Sequence, residues 1–234
     1  MKTTSASVVI PAWNEEKMIT TTVQAAFTIP EVDEVLVVDD GSTDRTAALA
    51  ETAGAKVIRQ ARQSGKGAAL TSGAAAAGGE ILLFLDADLG ASAALAGLLL
   101  GPVLAGEADM TIARFPPGQK AGFGLVKYLA RWGIRLLTGW LPECPLSGQR
   151  AIRRRLLQEI TIAAGWGAEV GMTIDAMRLG YRVLEVPVPF SHRATGRDWQ
   201  GFRHRGRQFC GVALTLLSRL CPGSLFRRTG KVES

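Results

Sequence analysis

The chain has little cysteine, few aromatic residues and no long apolar run. Its three cysteines, Cys144, Cys210 and Cys221, are an odd number without metal-ligand spacing, which argues against a disulfide framework and a structural zinc site. No 18 consecutive residues are apolar, so a membrane-spanning helix is not expected. The amino terminus leads into a strand-like pattern without the apolar segment of a signal peptide. We therefore expect a cytoplasmic protein.

The residues that are present describe a globular α/β chain. Of 234 residues, 47% are hydrophobic and 21% are charged, which allows a sizeable core and argues against disorder. The net charge of +6 is unevenly placed. Residues 190–234 contain nine Lys or Arg and two acidic residues, a net charge of +7, and the rest is close to neutral. Nucleic acid, an anionic membrane surface or a phosphorylated substrate would each match this basic segment.

The stretch 81–85 is an apolar run that ends in two acids, Asp86 and Asp88. Its length and flanking glycines predict a strand buried on both faces, with the carboxylates at its carboxyl end. In an open α/β sheet that edge binds ligands, and two such acids can hold a divalent cation on phosphate oxygens. Solvated acids at a strand end are the alternative.

Two earlier units have the same strand, loop and helix layout. The first strand ends at Pro11, with Asn14 as the predicted helix N-cap, and the second ends at Asp39, with Ser42 or Thr43 as the cap. Further strands are predicted at 56–58, 109–113 and 182–186. Alternating strands and helices predict a mostly parallel sheet, so the polar segments 11–15, 39–42 and 86–88 should meet at one edge. A shared binding site explains this pattern better than three separate caps.

A glycine-flanked lysine, Lys66, precedes the third predicted helix and could offer a point charge to a ligand. The Walker spacing GxxxxGK[ST] is absent, so this is not a P-loop.

The segments VVIPAWNEE, VLVVDDGSTDRT, SGKGAAL and FLDADLG resemble the nucleotide-sugar-binding half of a family 2 glycosyltransferase of the GT-A fold. The resemblance covers residues 6–113 and implies a Rossmann-like, mostly parallel sheet flanked by helices. It implies a UDP-sugar donor, such as UDP-glucose, bound with Mg²⁺ or Mn²⁺ at a DxD motif formed by Asp86 and Asp88. The implied donor contacts are Pro11, Ala12, Glu15, Asp40, Ser42, Lys66, Asp86 and Ala87.

The second half supplies acceptor candidates. A helix predicted over 123–138 carries Lys127, Arg131 and Arg135 at spacings of four. This row could bind an acidic acceptor or a membrane interface, and a merely solvated basic face is an equal alternative. The segment around Gln149 and Arg150 resembles the strand that flanks the acceptor pocket in family 2 enzymes. A structural strand end is the alternative for that segment.

The segments GWGAEVGMTID and VPVPFSHRATGRD resemble the acceptor half of glucosyl-3-phosphoglycerate synthases. That resemblance implies Glu169 as a general base toward an acceptor hydroxyl and His192 as a metal ligand beside Asp88. Asp86 would position the donor or the metal during catalysis. The nearby Arg193 and Arg197 are candidate partners of the diphosphate. First-turn pairing with the helix dipole is the alternative role of Glu169.

We predict a glycosyltransferase domain over 1–205, with a donor half 1–113 and an acceptor half 114–205, followed by a basic amphipathic helix and tail over 206–234. The helix either packs on the domain or binds the inner face of a membrane reversibly.

The leading hypothesis is a metal-dependent glycosyltransferase with a nucleotide-sugar donor and a small or lipid-linked acceptor. Polyprenyl-phosphate glycosyltransferases are the alternative within the class, although the glutamine that often follows their DxD motif is Gly90 here. A sugar-1-phosphate nucleotidyltransferase would need a glycine-rich loop where Pro11 to Asn14 stand. A nucleic-acid-binding protein would leave the acidic strand ends unexplained, so nucleic acid is not an expected partner.

Overall fold

The structure is a computed structural model that describes residues 5–115, 124–163, 165–190 and 199–220. Strands and helices alternate along most of the chain. In order they are β1 (Ala6–Ala12), α1 (Ile19–Phe27), β2 (Val32–Asp39), α2 (Thr46–Thr52), β3 (Lys56–Arg59), α3 (Lys66–Ala76), β4 (Ile81–Phe84), a 3₁₀ segment (Gly90–Ala96), α4 (Gly97–Leu104), β5 (Met110–Arg114), α5 (Gly124–Thr138), β6 (Arg150–Arg153), α6 (Arg154–Glu159), a 3₁₀ turn (Gly165–Gly167), α7 (Ala168–Arg178), β7 (Val183–Pro187) and α8 (Trp199–Leu220).

The seven strands form one sheet in the order β3-β2-β1-β4-β6-β5-β7. Neighbouring strands run parallel except β6, which lies antiparallel between β4 and β5. The predicted mostly parallel α/β sheet is confirmed. The carboxyl ends of β1, β2, β4 and β5 share one edge, and the antiparallel β6 starts at that same edge.

Alternating strand residues bury both faces of the sheet. Val8, Ile10 and Leu83 lie in one core with α1 and α4, whereas Val9, Leu36 and Leu82 lie in the other with α3 and α7. All four residues of β4 are buried, as its apolar sequence predicts. The sheet is therefore covered by helices on both sides, and its carboxyl edge is the end at which open α/β sheets bind ligands.

Three helices add a layer of their own beside the sheet. Val126, Ala130 and Ile134 of α5 pack with Val170 and Ile174 of α7 and with two residues of α8, Val212 and Leu216. A bidentate ion pair joins α8 to α7, because Arg219 Nε and Nη2 lie 2.9 and 2.7 Å from the oxygens of Asp175. One face of α8 is thus core, and the predicted unit boundary at 205/206 falls inside this helix.

The predicted caps of the first two helices are wrong. Helix α1 begins at Ile19, five residues after Asn14, and Asn14 adopts a left-handed backbone with φ of 55°. Its side-chain oxygen accepts a hydrogen bond from Thr43 N at 2.8 Å, and its own N–H donates to Ser42 Oγ at 2.9 Å. Asn14 and Ser42 therefore join two loops instead of capping helices, and α2 begins only at Thr46.

Candidate active site

The loops after β1 and β2 are held together at the carboxyl edge. Besides the Asn14 contacts, Glu15 N donates to Thr46 Oγ1 at 2.8 Å and Asp40 N donates to Ala12 O at 2.9 Å. Of the predicted donor contacts, Pro11 and Ala12 end β1, and Glu15, Asp40 and Ser42 follow in these joined loops. The sheet thus brings the two predicted polar segments together as parallel pairing requires.

Asp40 fixes the loop that carries Lys66. It is 5% exposed, and its two oxygens accept hydrogen bonds from the backbone N–H groups of Ser64 and Gly65 at 2.7 and 2.8 Å. Gly65 has φ of 90°, a conformation that a residue with a side chain rarely adopts. This geometry starts α3 at Lys66 and directs the lysine toward the end of β4.

Four side chains from distant parts of the chain meet there, and we name them the Lys66 cluster: Lys66, Asp86, Gln149 and Glu169. Lys66 Nζ lies 2.7 Å from Asp86 Oδ1 and 2.9 Å from Glu169 Oε1. Gln149 Nε2 donates to Asp86 Oδ2 at 2.5 Å. Both oxygens of Asp86 are therefore oriented by neighbouring side chains, and the lysine is shared by two carboxylates.

Charge balance in the cluster keeps the lysine protonated. Burial alone would lower the pKa of Lys66, but the negative charges and hydrogen bonds of Asp86 and Glu169 raise it well above the usual range. Lys66 accordingly carries its full charge at any physiological pH. A buried cation beside the end of β4 is the kind of group that stabilises negative charge on a ligand.

Gly148 has no side chain, which leaves room for the side chains of the cluster to meet. A Cβ atom at Gly148 would lie 2.5 Å from Lys66 Nζ and 2.9 Å from Asp86 Oδ1, both shorter than real contacts. Glycine at this position allows the turn before β6 to approach the ion pair directly. The adjacent Ser147 Oγ donates to Gln149 Oε1 at 3.1 Å, which orients the amide toward Asp86.

The acidic turn from Asp86 to Gly90 is fixed by a residue that sequence reasoning missed. Thr22 of α1 is fully buried, and its hydroxyl donates to Ala87 O at 2.8 Å while accepting from Gly90 N at 2.8 Å. Gly90 has φ of 55°, so the backbone favours glycine where the glutamine of polyprenyl-phosphate enzymes was expected. The sequence offered one indication of this role, because Thr22 is a polar residue on an otherwise apolar face of α1.

The predicted role of Arg150 as an acceptor contact is corrected by its position in the structure. It is fully buried, and its guanidinium donates to Ser147 O at 2.8 Å and to Thr173 Oγ1 at 2.8 Å. Burial lowers the pKa of Arg150 to about 10, partly offset by the charges of Glu169 and Glu185, which leaves it protonated at neutral pH. Arg150 therefore holds the turn before β6 in place, and Gln149 is the member of the pair that reaches the site.

The remaining predicted residues divide into two groups. Lys127 and Arg131 lie half-buried on α5, in the layer with α7 and α8. His192, Arg193 and Arg197 lie outside the described residues. Within the described part of the chain, no three His, Cys, Asp or Glu side chains are grouped as a metal site. The carboxylates of Asp86 and Asp88 are hard oxygen donors that suit Mg²⁺ or Mn²⁺, which fits the predicted cofactor.

A family comparison decides the class of protein. The model of "Glycosyl transferase family 2" matches residues 7–167, which include β1 except its first residue, β2 to β6, and every member of the Lys66 cluster except Glu169. The chain belongs to glycosyl transferase family 2. It is a glycosyltransferase, which removes the nucleotidyltransferase alternative.

Similar family 2 proteins include two kinds of enzyme. Glucosyl-3-phosphoglycerate synthase of Mycobacterium tuberculosis is 35% identical over 91% of this chain and 72% of its own length. Undecaprenyl-phosphate mannosyltransferase of Micrococcus luteus is 30% identical over 81% of this chain and 85% of its own length. Both resemblances drawn from the sequence are confirmed.

Solved structures agree on the fold. A crystal structure of the M. tuberculosis synthase with Mn²⁺, UDP and phosphoglyceric acid superposes with a TM-score of 0.78 at 33% identity, covering 92% of this chain and 78% of that one. The same synthase has been solved with Mg²⁺ and UDP, with a TM-score of 0.77. The predicted GT-A architecture is thereby confirmed.

Proposed function

We propose that this glycosyltransferase moves a sugar, such as glucose, from a UDP-sugar to a phosphate-bearing acceptor, with Mg²⁺ or Mn²⁺ as cofactor. The observation that carries the proposal is the Lys66 cluster. It lies at the sheet edge where α/β proteins bind nucleotides, beside Asp88 and the joined loops after β1 and β2. The complexes of the related synthase with UDP and Mn²⁺ support the donor and the metal.

The chemistry assigned to the residues follows from their charges. Asp88, with His192, would hold the metal, which supplies Lewis-acid stabilisation of the departing diphosphate. Lys66 adds a fixed positive charge toward the diphosphate, joined by Arg193 and Arg197. Asp86, held by Lys66 and Gln149, would position the ribose or sugar of the donor. Pro11, Ala12, Glu15, Asp40, Ser42 and Ala87 would line the nucleoside pocket.

The transfer breaks the bond between the sugar C1 and the diphosphate oxygen, and the electron pair leaves with UDP. The acceptor oxygen forms the new bond to C1. Where the acceptor is a hydroxyl, its proton passes to Glu169, the only carboxylate of the Lys66 cluster besides Asp86. A phosphate oxygen is already nucleophilic and needs no base.

Two acceptor classes correspond to the two kinds of relative. A small phosphorylated hydroxyl compound such as phosphoglycerate is favoured by the buried, ion-paired Glu169, which would act on a hydroxyl. A polyprenyl phosphate at a membrane is favoured by Lys127 and Arg131 on α5 and by the net charge of +7 over residues 190–234. In both cases we propose that Gln149, Lys127 and Arg131 contact the acceptor, at or near a membrane surface for the lipid.

The donor proposal is tested by thermal unfolding with UDP or GDP, each with and without Mn²⁺. UDP with Mn²⁺ at about 100 times its dissociation constant should raise the Tm by roughly 5–10 °C, since binding adds about 2.7 kcal/mol. Asp88→Asn should remove the metal-dependent part of this shift, whereas Asp33→Asn, an exposed acid of β2, should not. An equal shift without Mn²⁺, or with Asp88→Asn, would contradict the metal assignment.

The acceptor is then identified by product analysis, with UDP-glucose offered together with phosphoglycerate or a polyprenyl phosphate. Glucosylation of either compound supports the proposal and selects the acceptor class. Donor binding without transfer to any phosphate-bearing compound would overturn it.

A further inference from the structure

Two neighbouring helices expose a row of large apolar side chains, which we name the α5–α8 face: Leu125, Tyr128, Trp132 and Leu136 on α5, and Leu214, Leu217 and Leu220 on α8. The α5 members are 50% to 77% exposed and recur at three- and four-residue spacings, so they form one line. The α8 members are 51% to 66% exposed and recur every third residue. Monomeric proteins rarely leave so many large apolar side chains together in water.

The two rows belong to one surface because the helices pack against each other between them. Leu216 of α8 lies against the backbone of Gly133 in α5, where a Cβ would come within 2.5 Å of the leucine. The residues next to that contact, Trp132 and Leu217, both point into solvent. The opposite faces of both helices are already buried in the layer with α7. The exposed rows are therefore not needed to hold the helices in place.

Charge on these helices indicates what covers the face. Helices α5 and α8 contain seven Lys or Arg and no Asp or Glu. Arg219 is neutralised by the Asp175 pair described above. An isologous dimer through this face would bring two such helix pairs together, each with an excess of positive charge in its sequence, which like-charge repulsion disfavours. An anionic surface would be attracted by the same charges.

We propose that the α5–α8 face docks reversibly on an anionic lipid surface. Leucines with a tryptophan and a tyrosine, flanked by basic side chains, are the composition of helices that lie in the plane of a membrane interface. The rings of Trp132 and Tyr128 contact each other at a tilt of 50°, with centroids 5.9 Å apart. Both side chains combine an apolar body with a polar group, as interfacial aromatics do. None of the helices in the described ranges is long and apolar enough to cross a membrane.

The face is linked to the active site. Helix α8 packs on the 165–167 turn so closely that a Cβ at Gly167 would overlap Thr215. That turn leads directly into α7, whose first turn holds Glu169. Docking would thus present the acceptor side of the site to lipid-borne phosphate, although docking itself stands apart from the proposed transfer reaction.

Co-sedimentation with vesicles tests the proposal. We expect the chain to bind vesicles of phosphatidylcholine mixed with phosphatidylglycerol and to release them as salt is raised, with little binding to phosphatidylcholine alone. The double variant Trp132→Ser with Leu136→Ser should weaken vesicle binding roughly ten-fold or more, because two inserting side chains are lost. The matched control Leu98→Ser, at an exposed leucine of α4, should change it less than about two-fold.

The contribution of charge is tested with Arg135→Gln, which should weaken vesicle binding about five-fold. Arg59→Gln, at an exposed arginine of β3, is the control. Equal binding to both kinds of vesicle, or unchanged binding by the double variant, would overturn the proposal. A dimer in light scattering that dissociates in the double variant, without vesicle binding, would assign the face to a second copy instead. UDP titration with Mn²⁺ on the same preparations reports separately on the active site, so failure of one proposal is distinguished from failure of the other.

Discussion

At the two edges of the sheet, charged side chains meet in clusters of opposite composition. At the carboxyl edge one lysine, Lys66, lies between two carboxylates. At the amino edge one carboxylate, Asp109, lies among arginines: Arg155 Nη2 is 2.5 Å away and Arg182 Nε is 3.2 Å away. Both clusters contain a group that would be costly to bury alone, and both supply its counter-charge.

The two clusters differ in what they connect. Asp109 also accepts a hydrogen bond from the backbone N–H of Arg182 at 3.1 Å. Arg155 lies in α6, directly after β6, Arg182 directly precedes β7, and Asp109 directly precedes β5. This cluster therefore closes strands that already pair. The Lys66 cluster instead joins residues of α3 and α7 to Asp86, which follows β4, and to Gln149, which precedes β6. We propose that these contacts are exchanged for those of a ligand. On this proposal, similar charges stabilise the architecture at one edge and take part in the reaction at the other.

Among the variants that test this difference between the two clusters, Lys66→Met should show the largest effect. Loss of the buried cation leaves Asp86 and Glu169 without their shared partner and removes positive charge from the diphosphate site. We expect kcat/KM for sugar transfer to fall by about 10³-fold. Lys56→Met, at an exposed lysine of β3, is the control. Near-normal transfer by the Lys66 variant would place the cluster with the architectural one.

Glu169→Gln should separate the two acceptor classes. If Glu169 takes a proton, transfer to a hydroxyl acceptor should fall by about 10²-fold, while transfer to a phosphate acceptor should change little. Steady-state kinetics with both acceptors measures the difference, and Glu107→Gln, an exposed acid, serves as control. Equal losses with both acceptors would show that Glu169 acts only by holding Lys66.

Asp109→Asn should lower stability without affecting chemistry. Burial alone would raise the pKa of Asp109, but hydrogen bonds from Arg182 and Arg155 lower it below the usual value. The folded state therefore binds this proton more weakly than the unfolded state, so the stabilisation is complete above about pH 4 and is lost as pH falls further. We expect the variant to lose about 2 kcal/mol at pH 7 in urea unfolding and to show a shallower loss of stability in acid.

The matching kinetic measurement completes the Asp109 test. Transfer rates of the folded Asp109→Asn variant should equal those of the wild type. A large fall in kcat with unchanged stability would reverse the roles assigned to the two edges.

Thr22→Val should show the smallest effect. It removes the hydroxyl that holds Ala87 O and Gly90 N, at a cost of about 1 kcal/mol, or a fall of roughly 2–4 °C in Tm. Because the acidic turn is then less fixed, the affinity for Mn²⁺ in the presence of UDP should also fall modestly. Calorimetric titration measures that affinity, and Thr52→Val, near the exposed end of α2, is the control. A Tm change without any change in metal affinity would separate the turn from metal binding.

The sequence predicted the elements that depend on local pattern. The burial of β4 and the strand ends that carry Asp39, Asp40 and Asp86 follow from short-range rules, and the structure confirms them. Motif resemblance further predicted that Lys66, Asp86 and Glu169 belong to one site, and the ion pairs bring these three residues together.

Features that depend on tertiary contacts were not predictable in this way. Asn14 matched an N-cap pattern, but its bond to Thr43 in the next loop gave it another role. Arg150 has the chemistry of an acceptor ligand, and only its burial shows that it holds a turn. One face of α8 lies in the core, so removing residues 208–234 would expose Val126 and Ile134 of α5 and break the Arg219 pair. The sequence pattern of a helix shows that it is amphipathic, but it does not show what each face packs against.

The placement of β6 has a consequence for how the chain folds during synthesis. Strand β5 pairs with β6 and β7, both of which follow it in sequence, and β4 meets β6 on the side away from β1. After Arg114 leaves the ribosome, about forty more residues must be made before β6 can fill the gap, which takes several seconds at typical rates. During that interval an apolar strand edge stays unpaired, and the Lys66 cluster lacks Gln149 and Glu169. Gln149 reaches the cluster with β6 and Glu169 follows with α7, so the proposed site is completed only after the gap in the sheet has been filled.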